Sequence, residues 1–339
     1  MVRINKHFIR YILIIPLIFG LIISSASCSK QEKTIAPKEK VTIGVASLIL
    51  SIPIIIAQEK GYFSDAGLDV TFKPFPFGKP AMEAMFRGEV DISTVAETPV
   101  VFSSFIRDDY VIFVTFVSSY DDSKMLVRKD RGITKPADLK GRKIGMTAGT
   151  SSHFFTHIYL SENRIDLSSV TLMSFPAPCL PEALQAGKVD AIAVFEPYGY
   201  MAKKAMSDKV TRLPRTELFR ETFNLLTMKR YAQEHPETLK RILGAVDKAI
   251  VFIKQNKSEA IGIMSKGSLK LEEELLKSVW DDFNFNLTLD NGLLTTIEDE
   301  ARWAMKNRLT DKTKTPNYLD YFYLDAMKAV KPESVRIVK

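Results

Sequence analysis

The chain has 339 residues, of which 46% are hydrophobic and 26% charged, and its formal net charge is +7. This length provides for two lobes of ordinary domain size, and the apolar fraction argues against a disordered or fibrous protein. Lysines are interspersed with acids in the C-terminal third, which is typical of solvated helix faces and disfavours a nucleic-acid-binding stripe.

The N-terminus has the composition of an export signal. Basic residues precede an apolar run at 11–23 that is too short to span a bilayer comfortably but suits a secretory signal. Cys28 follows two small residues, as in a bacterial lipoprotein signal, although Ser25 stands where such signals usually have Leu. We therefore predict a signal peptide at 1–27, a membrane anchor through lipidated Cys28 and a polar tether at 28–40. A cut one residue earlier would instead release a soluble protein.

From residue 41 the pattern alternates between strands and helices. "VTIGVAS" (41–47) predicts a strand, "SIPIIIAQEKGYF" (51–63) a helix and "LDVTFKPF" (68–75) a second strand. This alternation predicts an α/β protein with a mostly parallel sheet covered by helices. After residue 237 the chain is predicted to be almost purely helical, with amphipathic helices that pack on the first lobe.

Two segments repeat with an offset of 99 positions. "EAMFRGEVDISTVAE" (83–97) and "EALQAGKVDAIAVFE" (182–196) share Glu, Ala, Gly, Val, Asp and a final Glu at matched places. Each predicts a helix closed by Gly and followed by a short buried strand. Any two βα units share some of these features, but the acid after both strands favours two similarly built lobes across a cleft. The predicted limits are 41–120 plus 229–339 for the first lobe, 121–228 for the second, and crossovers at 120–130 and 222–228.

The segment "IGMTAGTSSHFF" (144–155) predicts a buried strand, a turn of small residues and a helix. Gly149, Thr150, Ser151 and Ser152 would stand at the start of that helix. A helix N-terminus has backbone N–H groups without intrahelical partners and a partial positive charge, and small residues let a ligand approach it. The pattern suits a site for sulfonate, carboxylate, nitrate or phosphate. Ordinary N-capping by one Ser or Thr is the alternative.

Longer segments resemble a known family. They are "EKGYFSDAGLDV", "RGEVDISTVAETP", "DLKGRKIGMTAGTSSHFF", "PEALQAGKVDAIAVFEPY" and the tail "PNYLDYFYLDAMKAVKPESVRIVK". Together they resemble the substrate-binding proteins of ABC importers for nitrate, sulfonates and taurine, within the broader family that includes thiamine-pyrimidine-precursor binders. The resemblance implies a type II periplasmic binding protein fold, in which two α/β lobes joined by two hinge crossovers close on a small-molecule ligand. It also implies an ABC permease and a separate ATPase subunit as partners.

The resemblance places the ligand positions after strands and at the start of the helix. They would be Ser47, Leu48, Glu97, Thr98, Thr150, Ser151, Ser152, Glu196 and Tyr198. Phe195 stands where the family usually has Trp, so an aromatic ring is kept without the indole N–H. Glu97 or Glu196 could accept a hydrogen bond from an amine on the ligand. Glu196 could equally fix its own loop, and both roles stay open.

The remaining chemistry-bearing residues favour binding over catalysis. His153 and His157 are four apart on one predicted helix face, but no third metal ligand accompanies them, so we expect no metal and place His153 on the cleft wall beside the anion. Cys179 is alone apart from Cys28, and no nucleophile–base set or cofactor motif is present. We expect an exported monomer, periplasmic or on the cell surface, that is not an enzyme and needs no cofactor. Binding of a pyrimidine or flavin, or ligand sensing with a separate signalling partner, is the alternative.

Overall fold

A computed structural model describes residues 37–267 and 271–338. The predicted signal, Cys28 and the tether up to residue 36 lie outside the described residues, so export and lipidation stay predictions. The chain from Lys38 onward forms one compact unit. None of the helices in the described ranges combines the length and the apolar character needed to cross a membrane.

Within the described ranges, eleven strands form two sheets. In chain order the strands are β1 (Glu39–Ala46), β2 (Leu68–Phe75), β3 (Ile92–Ala96), β4 (Tyr110–Ser119), β5 (Lys124–Arg128), β6 (Lys143–Met146), β7 (Thr171–Ser174), β8 (Ala191–Val194), β9 (Val210–Arg212), β10 (Glu221–Met228) and β11 (Phe283–Thr288). The first sheet, which belongs to the first lobe, has the order β11-β4-β10-β3-β1-β2. The second has the order β7-β6-β8-β5-β9.

The two sheets are built alike. In the first, β1 pairs in parallel with β2 and β3, and β10 joins antiparallel to β3. In the second, β6 pairs in parallel with β7 and β8, and β5 joins antiparallel to β8. The order β2-β1-β3-β10 therefore corresponds to β7-β6-β8-β5. The predicted fold class, two α/β lobes of similar construction, is confirmed.

The two copies of the sequence repeat occupy equivalent places in the sheets. In each copy a glycine in the left-handed region follows the helix, and the next strand is β3 or β8. Asp91 accepts the Thr42 N–H of β1 at 2.7 Å, and Asp190 accepts the Lys143 N–H of β6 at 2.9 Å. The shared Asp therefore fixes the same strand edge in both lobes, which is a structural reason for the repeat.

Helices cover both sheets. Those of the described ranges are α1 (Ile52–Glu59), α2 (Tyr62–Asp65), α3 (Gly78–Phe86), α4 (Glu97–Ser104), α5 (Ser151–Glu162), α6 (Leu180–Gln185), α7 (Tyr198–Met206), α8 (Lys229–Glu234), α9 (Pro236–Gln255), α10 (Lys257–Lys266), α11 (Glu273–Val279), α12 (Asn291–Lys306) and α13 (Asp325–Val330). In α9 the buried Leu239, Ile242, Val246, Ile250 and Ile253 recur at helical spacing, so one stripe faces the core of the first lobe.

The structure corrects the predicted return crossover. The outgoing segment 120–123 lies between β4 and β5, inside the predicted 120–130. The return segment is 213–220, because β10 pairs with β3 and β4 in the first sheet. The second lobe therefore ends before β10 and not at 228, and the hinge predicted at 222–228 coincides with a strand of the first sheet. A buried apolar strand has the same local pattern whichever sheet it joins.

The C-terminal region is also less helical than predicted. β11 (Phe283–Thr288) adds antiparallel to β4 at the edge of the first sheet. Its buried residues alternate with partly exposed ones, which is the pattern of an edge strand with one covered face. This strand interrupts the predicted run of helices between α11 and α12.

Candidate ligand-binding site

A small cavity lies where the two lobes meet. The first lobe lines it with Leu48, Lys79 and Glu221 among others, and the second lobe with Thr150 and Ser151 among others. Its volume of ≈ 20 Å³ has room for about one water molecule. In this closed arrangement, a larger ligand requires the lobes or the lining side chains to move apart.

Aromatic residues hold the lobes together beside the cavity. Tyr198 of the second lobe donates its hydroxyl hydrogen to the Pro76 carbonyl of the first lobe at 2.8 Å. The rings of Phe77 and Phe195, both in the cavity wall, lie 6.4 Å apart between centroids and belong to opposite lobes. Phe195 therefore has the position of an aromatic shelf, and Tyr198 links the lobes by a hydrogen bond.

The turn before α5 presents small residues to the cavity. Gly149 has a φ of +69°, and Thr150 is the extended N-cap residue. The Thr150 side chain does not cap the helix, because its hydroxyl donates to the Thr147 carbonyl at 2.8 Å. Ser152 donates to the Ala193 carbonyl at 2.7 Å and accepts the Thr147 N–H at 3.1 Å. Capping by Thr150 therefore does not account for this cluster, and the Ser152 hydroxyl is used within the fold.

Lys79 brings a positive charge to this turn from the opposite lobe. It lies in the first turn of α3, and its Nζ is 3.3 Å from the point where a Cβ on Gly149 would stand. The side chain is half-buried and makes no ion pair or hydrogen bond with any residue that the structure describes. A cation in the first turn of a helix opposes the helix dipole, so this position does not serve helix stability. Lys79 was not among the ligand residues predicted from the sequence; the signal that points to it is a cation at the start of a helix.

Glu221 adds a buried acid to the same cavity. It is the first residue of β10, and its carboxyl group accepts hydrogen bonds from Ser123, at 2.9 Å, and from Ser151 of the second lobe. Burial is the main cause that raises the pKa of this carboxyl group above its usual value. The protonated form is neutral and does not repel an anion held near Lys79.

Two predicted ligand residues, Glu97 and Thr98, belong to a buried network behind the cavity wall. Glu97 accepts the Thr222 N–H at 2.8 Å and the Thr222 hydroxyl at 2.7 Å. Thr98 donates its hydroxyl to Glu300 of α12 at 3.0 Å. Burial, followed by the charge of Glu221, raises the pKa of Glu97 to about 8, and burial raises that of Glu300 well above its usual value. Glu97 is therefore mostly protonated at neutral pH, and burial favours the neutral form of Glu300 as well.

Glu196 is engaged within its own loop. Its carboxylate lies 3.2 Å from the Lys124 ammonium, and both side chains are fully buried. It also accepts the Tyr200 N–H at 2.7 Å, while its own N–H donates to Asp122 at 3.4 Å. This geometry matches the loop-fixing alternative of the two roles left open by the sequence.

The two histidines of α5 lie beside the cavity in an aromatic cluster. His153 accepts the Gly149 N–H on Nδ1 at 3.4 Å and stacks on Phe102 of the first lobe. Burial is the main cause that lowers the pKa of His153 and of His157 to about 4, so both rings are neutral at pH 7. Among the described residues, no three His, Cys, Asp or Glu side chains are grouped so that they could hold a metal ion.

The predicted ligand residues thus divide by position. Those that line the cavity are Leu48, Thr150 and Ser151. Those that lie beside or behind the lining are Ser47, Glu97, Thr98, Gly149, Ser152, His153, Glu196 and Tyr198. The two charged cavity residues that the sequence did not reveal are Lys79 and Glu221.

Two α/β lobes that meet at a lined cavity define a bilobed protein with the type II periplasmic binding fold. The alkanesulfonate-binding protein of Xanthomonas axonopodis pv. citri, solved bound to MOPS, superimposes with a TM-score of 0.74, covering 85% of this chain and 99% of that one at 19% identity. The desulfurization enzyme DSZB also shares the fold, with a TM-score of 0.65 over 87% of this chain and 99% of that one at 14% identity. These similarities establish the fold and leave its use open.

The chain belongs to the NMT1/THI5-like family, whose profile matches residues 50–260. A curated relative is the putative aliphatic sulfonates-binding protein of Bacillus subtilis (strain 168). The two are 25% identical over 267 residues, which are 77% of this chain and 80% of that protein. The family resemblance stated from the sequence motifs is therefore confirmed.

Proposed function

We propose that this protein is the extracytoplasmic substrate-binding component of an ABC importer for a small organic sulfonate. Its ligand would occupy the cavity between the lobes and pass to a membrane permease that is driven by a separate ATPase subunit. The observation that carries the proposal is the approach of Lys79, a cation without an ion-pair partner among the described residues, to the small-residue turn at the start of α5.

This arrangement offers an anion three sources of positive potential. Lys79 supplies a full charge, and the N-termini of α3 and α5 point toward the cavity from opposite lobes. Gly78, the first residue of α3, lines the cavity and exposes backbone there. An anion buried between the lobes requires such partners, because desolvation without them is costly. An anion that touches both lobes also stabilises the closed form over the open one.

Binding without chemical conversion is part of the proposal. The imidazole of His153 has its Nδ1 occupied by the Gly149 N–H, and Ser151 donates to Glu221, a carboxyl group with a raised pKa. This set lacks the activated nucleophile with an oriented base that covalent catalysis needs. Because a desulfurization enzyme shares the fold, the bound ligand should be recovered and identified by mass spectrometry. Recovery of sulfite or of a desulfonated product would contradict the proposal.

Export and anchoring belong to the same proposal. An importer component must meet its substrate outside the cytoplasm, and the segment 1–28 has the composition of a signal that ends in a lipidated cysteine. Lipid on Cys28 would keep the binding protein close to its permease. Mass spectrometry of the mature N-terminus distinguishes acylated Cys28 from a soluble product cut one residue earlier.

Calorimetric titration of the mature protein, from residue 29 onward, tests the ligand class. The panel contains ethanesulfonate, butanesulfonate, nitrate, a hydroxymethylpyrimidine and riboflavin. We expect the sulfonates to bind and Lys79→Met to weaken them about 10- to 100-fold, since losing a charged hydrogen-bond partner costs about 1.5–3 kcal/mol. Lys73→Met is the matched control, because Lys73 is on the same lobe and pairs with Glu89. Binding of pyrimidine or flavin alone, or equal weakening by both variants, would contradict the proposal.

Glu221 favours a second candidate, a sulfonate that carries an ammonium group. Its carboxyl group faces the same cavity as Lys79, so one end of the ligand could meet an acid and the other a cation. Taurine and ethanesulfonate differ only by the amine, which makes them a direct comparison. If taurine binds at least tenfold more tightly and Glu221→Gln removes that advantage, the zwitterion is the better ligand class.

A further inference from the structure

Trp303 lies between the two lobes, outside the cavity lining. It belongs to α12, which packs on α4 of the first lobe, and its ring contacts core side chains of both lobes. The rings of His153, Phe154 and His157, all on α5 of the second lobe, have centroids 5.0, 5.0 and 4.9 Å from that of the indole. Phe102 of α4 lies 6.0 Å away on the first-lobe side. Trp303 therefore docks α5 onto the first lobe.

The docked face of α5 adjoins the turn that lines the cavity. His153, which contacts the indole, is 6% exposed and accepts the Gly149 N–H on Nδ1. Its other face stacks on Phe102, with the ring planes 13° apart. A shift of the His153 ring would therefore disturb the Ala148–Gly149 peptide at the start of the turn. Trp303 therefore affects the cavity lining in two ways: through the hydrogen bond between His153 and Gly149, and through the position of α5.

The indole contributes by its ring. Its N–H is buried and finds no hydrogen-bond partner in the part of the chain that the structure describes. A buried donor without an acceptor is destabilising, so a hydrogen bond is not what this side chain supplies. Phe at this position keeps an aromatic ring among the rings of α5 and removes the unsatisfied donor. Leu removes the aromatic contacts altogether.

We propose that Trp303 is a positioning residue for ligand binding: it holds α5 and the Gly149 turn in the position from which they face the ligand, without touching the ligand itself. Its effect on affinity rests on the proposed function, whereas its effect on the turn does not. Loss of the ring lowers the population of molecules in which α5 and the turn hold this position. When that population falls to about one tenth, the apparent Kd rises about tenfold.

Hydrogen–deuterium exchange of the ligand-free protein tests the effect on the turn. We expect faster exchange at 147–157 in Trp303→Leu, and near-normal exchange in Trp303→Phe. Trp280→Leu is the control, because Trp280 is a buried tryptophan of the first lobe that packs on Phe285, whereas Trp303 packs on α5. Unchanged exchange at the turn in folded Trp303→Leu, or equal acceleration by the control, would overturn the inference. If Trp303→Leu does not fold, Trp303→Met, which fills irregular space, replaces it.

Titration with ethanesulfonate tests the effect on binding. We expect Trp303→Leu to weaken binding about tenfold, Trp303→Phe to weaken it less than about threefold, and Trp280→Leu to leave it unchanged. Equal affinity in wild type and folded Trp303→Leu would overturn the inference. Failure of the wild type to bind ethanesulfonate would count against the proposed function, while the exchange experiment would still decide the role of Trp303.

Discussion

Raising the pH from 7.0 to 8.5 should destabilise this protein, because buried carboxyl groups retain protons in the folded state. Burial and the nearby Glu221 raise the pKa of Glu97 to about 8, whereas an ordinary Glu titrates near 4.5. Between these two values the unfolded chain has lost this proton and the folded chain keeps it. Unfolding therefore releases a proton, and the free energy of unfolding falls as the pH rises.

The magnitude follows from that pKa difference. For Glu97 alone, the free energy of unfolding should fall by about 1.3 kcal/mol between pH 7.0 and pH 8.5, since each pH unit below the folded pKa is worth about 1.4 kcal/mol. Burial also raises the pKa of Asp122 and of Glu300 well above the usual range, which adds a fall in the same direction. His153 and His157 are neutral in the folded state and about one quarter protonated in the unfolded chain at pH 7, so together they oppose this fall by only about 0.3 kcal/mol.

Urea unfolding at pH 7.0, 7.75 and 8.5 measures this dependence. Glu97→Gln keeps the carbonyl oxygen that accepts from Thr222 but carries no titrating proton, so its free energy of unfolding should fall by about 1.3 kcal/mol less than that of the wild type across the range. Replacing the exposed Glu237 by Gln is the control and should leave the slope unchanged. A free energy of unfolding that is flat or rises with pH, or an equal pH dependence in wild type and Glu97→Gln, would contradict this prediction.

Two further substitutions follow from the structure. Lys124→Met should lower the free energy of unfolding in urea by about 3–5 kcal/mol, because it leaves Glu196 buried without its cation. Adding Glu196→Gln in a double variant should restore part of that stability. If the losses of the two single variants simply add, the pairing of Lys124 with Glu196 is contradicted. Gly149→Ala should weaken ethanesulfonate binding, because the new methyl group strains a φ of +69° and lies 3.3 Å from the Lys79 ammonium. Gly132→Ala is the control, because Gly132 has a φ of +74° and no atom lies within 4 Å of an added Cβ. It should lower the free energy of unfolding by a similar amount without changing the affinity for ethanesulfonate. Equal affinities of the two variants would contradict the prediction.

Local patterns were enough to predict several features. The repeat at 83–97 and 182–196 predicted two lobes of similar construction, and the small residues at 149–152 predicted a helix N-terminus, which the structure places at the cavity between the lobes. Both depend on interactions within a few residues, such as a glycine in the left-handed region or the spacing of apolar side chains. The family resemblance extended those patterns to a fold class. The same local patterns led to the prediction that 222–228 belongs to the second lobe, because an apolar strand does not indicate which sheet it joins.

Other features depend on contacts between residues far apart in the chain. Lys79 of the first lobe lies near Gly149 of the second across the interface between the lobes, and Glu97 meets Thr222 because β10 returns to the first sheet. The resemblance predicted Glu97 as a ligand residue, while the structure places it in a buried network behind the cavity wall. Trp303 showed no sequence signal, since its partners are on another helix of another lobe.

The α/β lobes, their repeat and the small-residue turn could be predicted from the amino-acid sequence, because hydrophobic period and backbone preference act over one or two turns of chain. The charges that face the cavity, the carboxyl groups whose pKa is raised and the ring that docks α5 are visible only in the folded protein. Those properties arise from burial and from approach across the cleft, and both depend on where distant segments lie after folding.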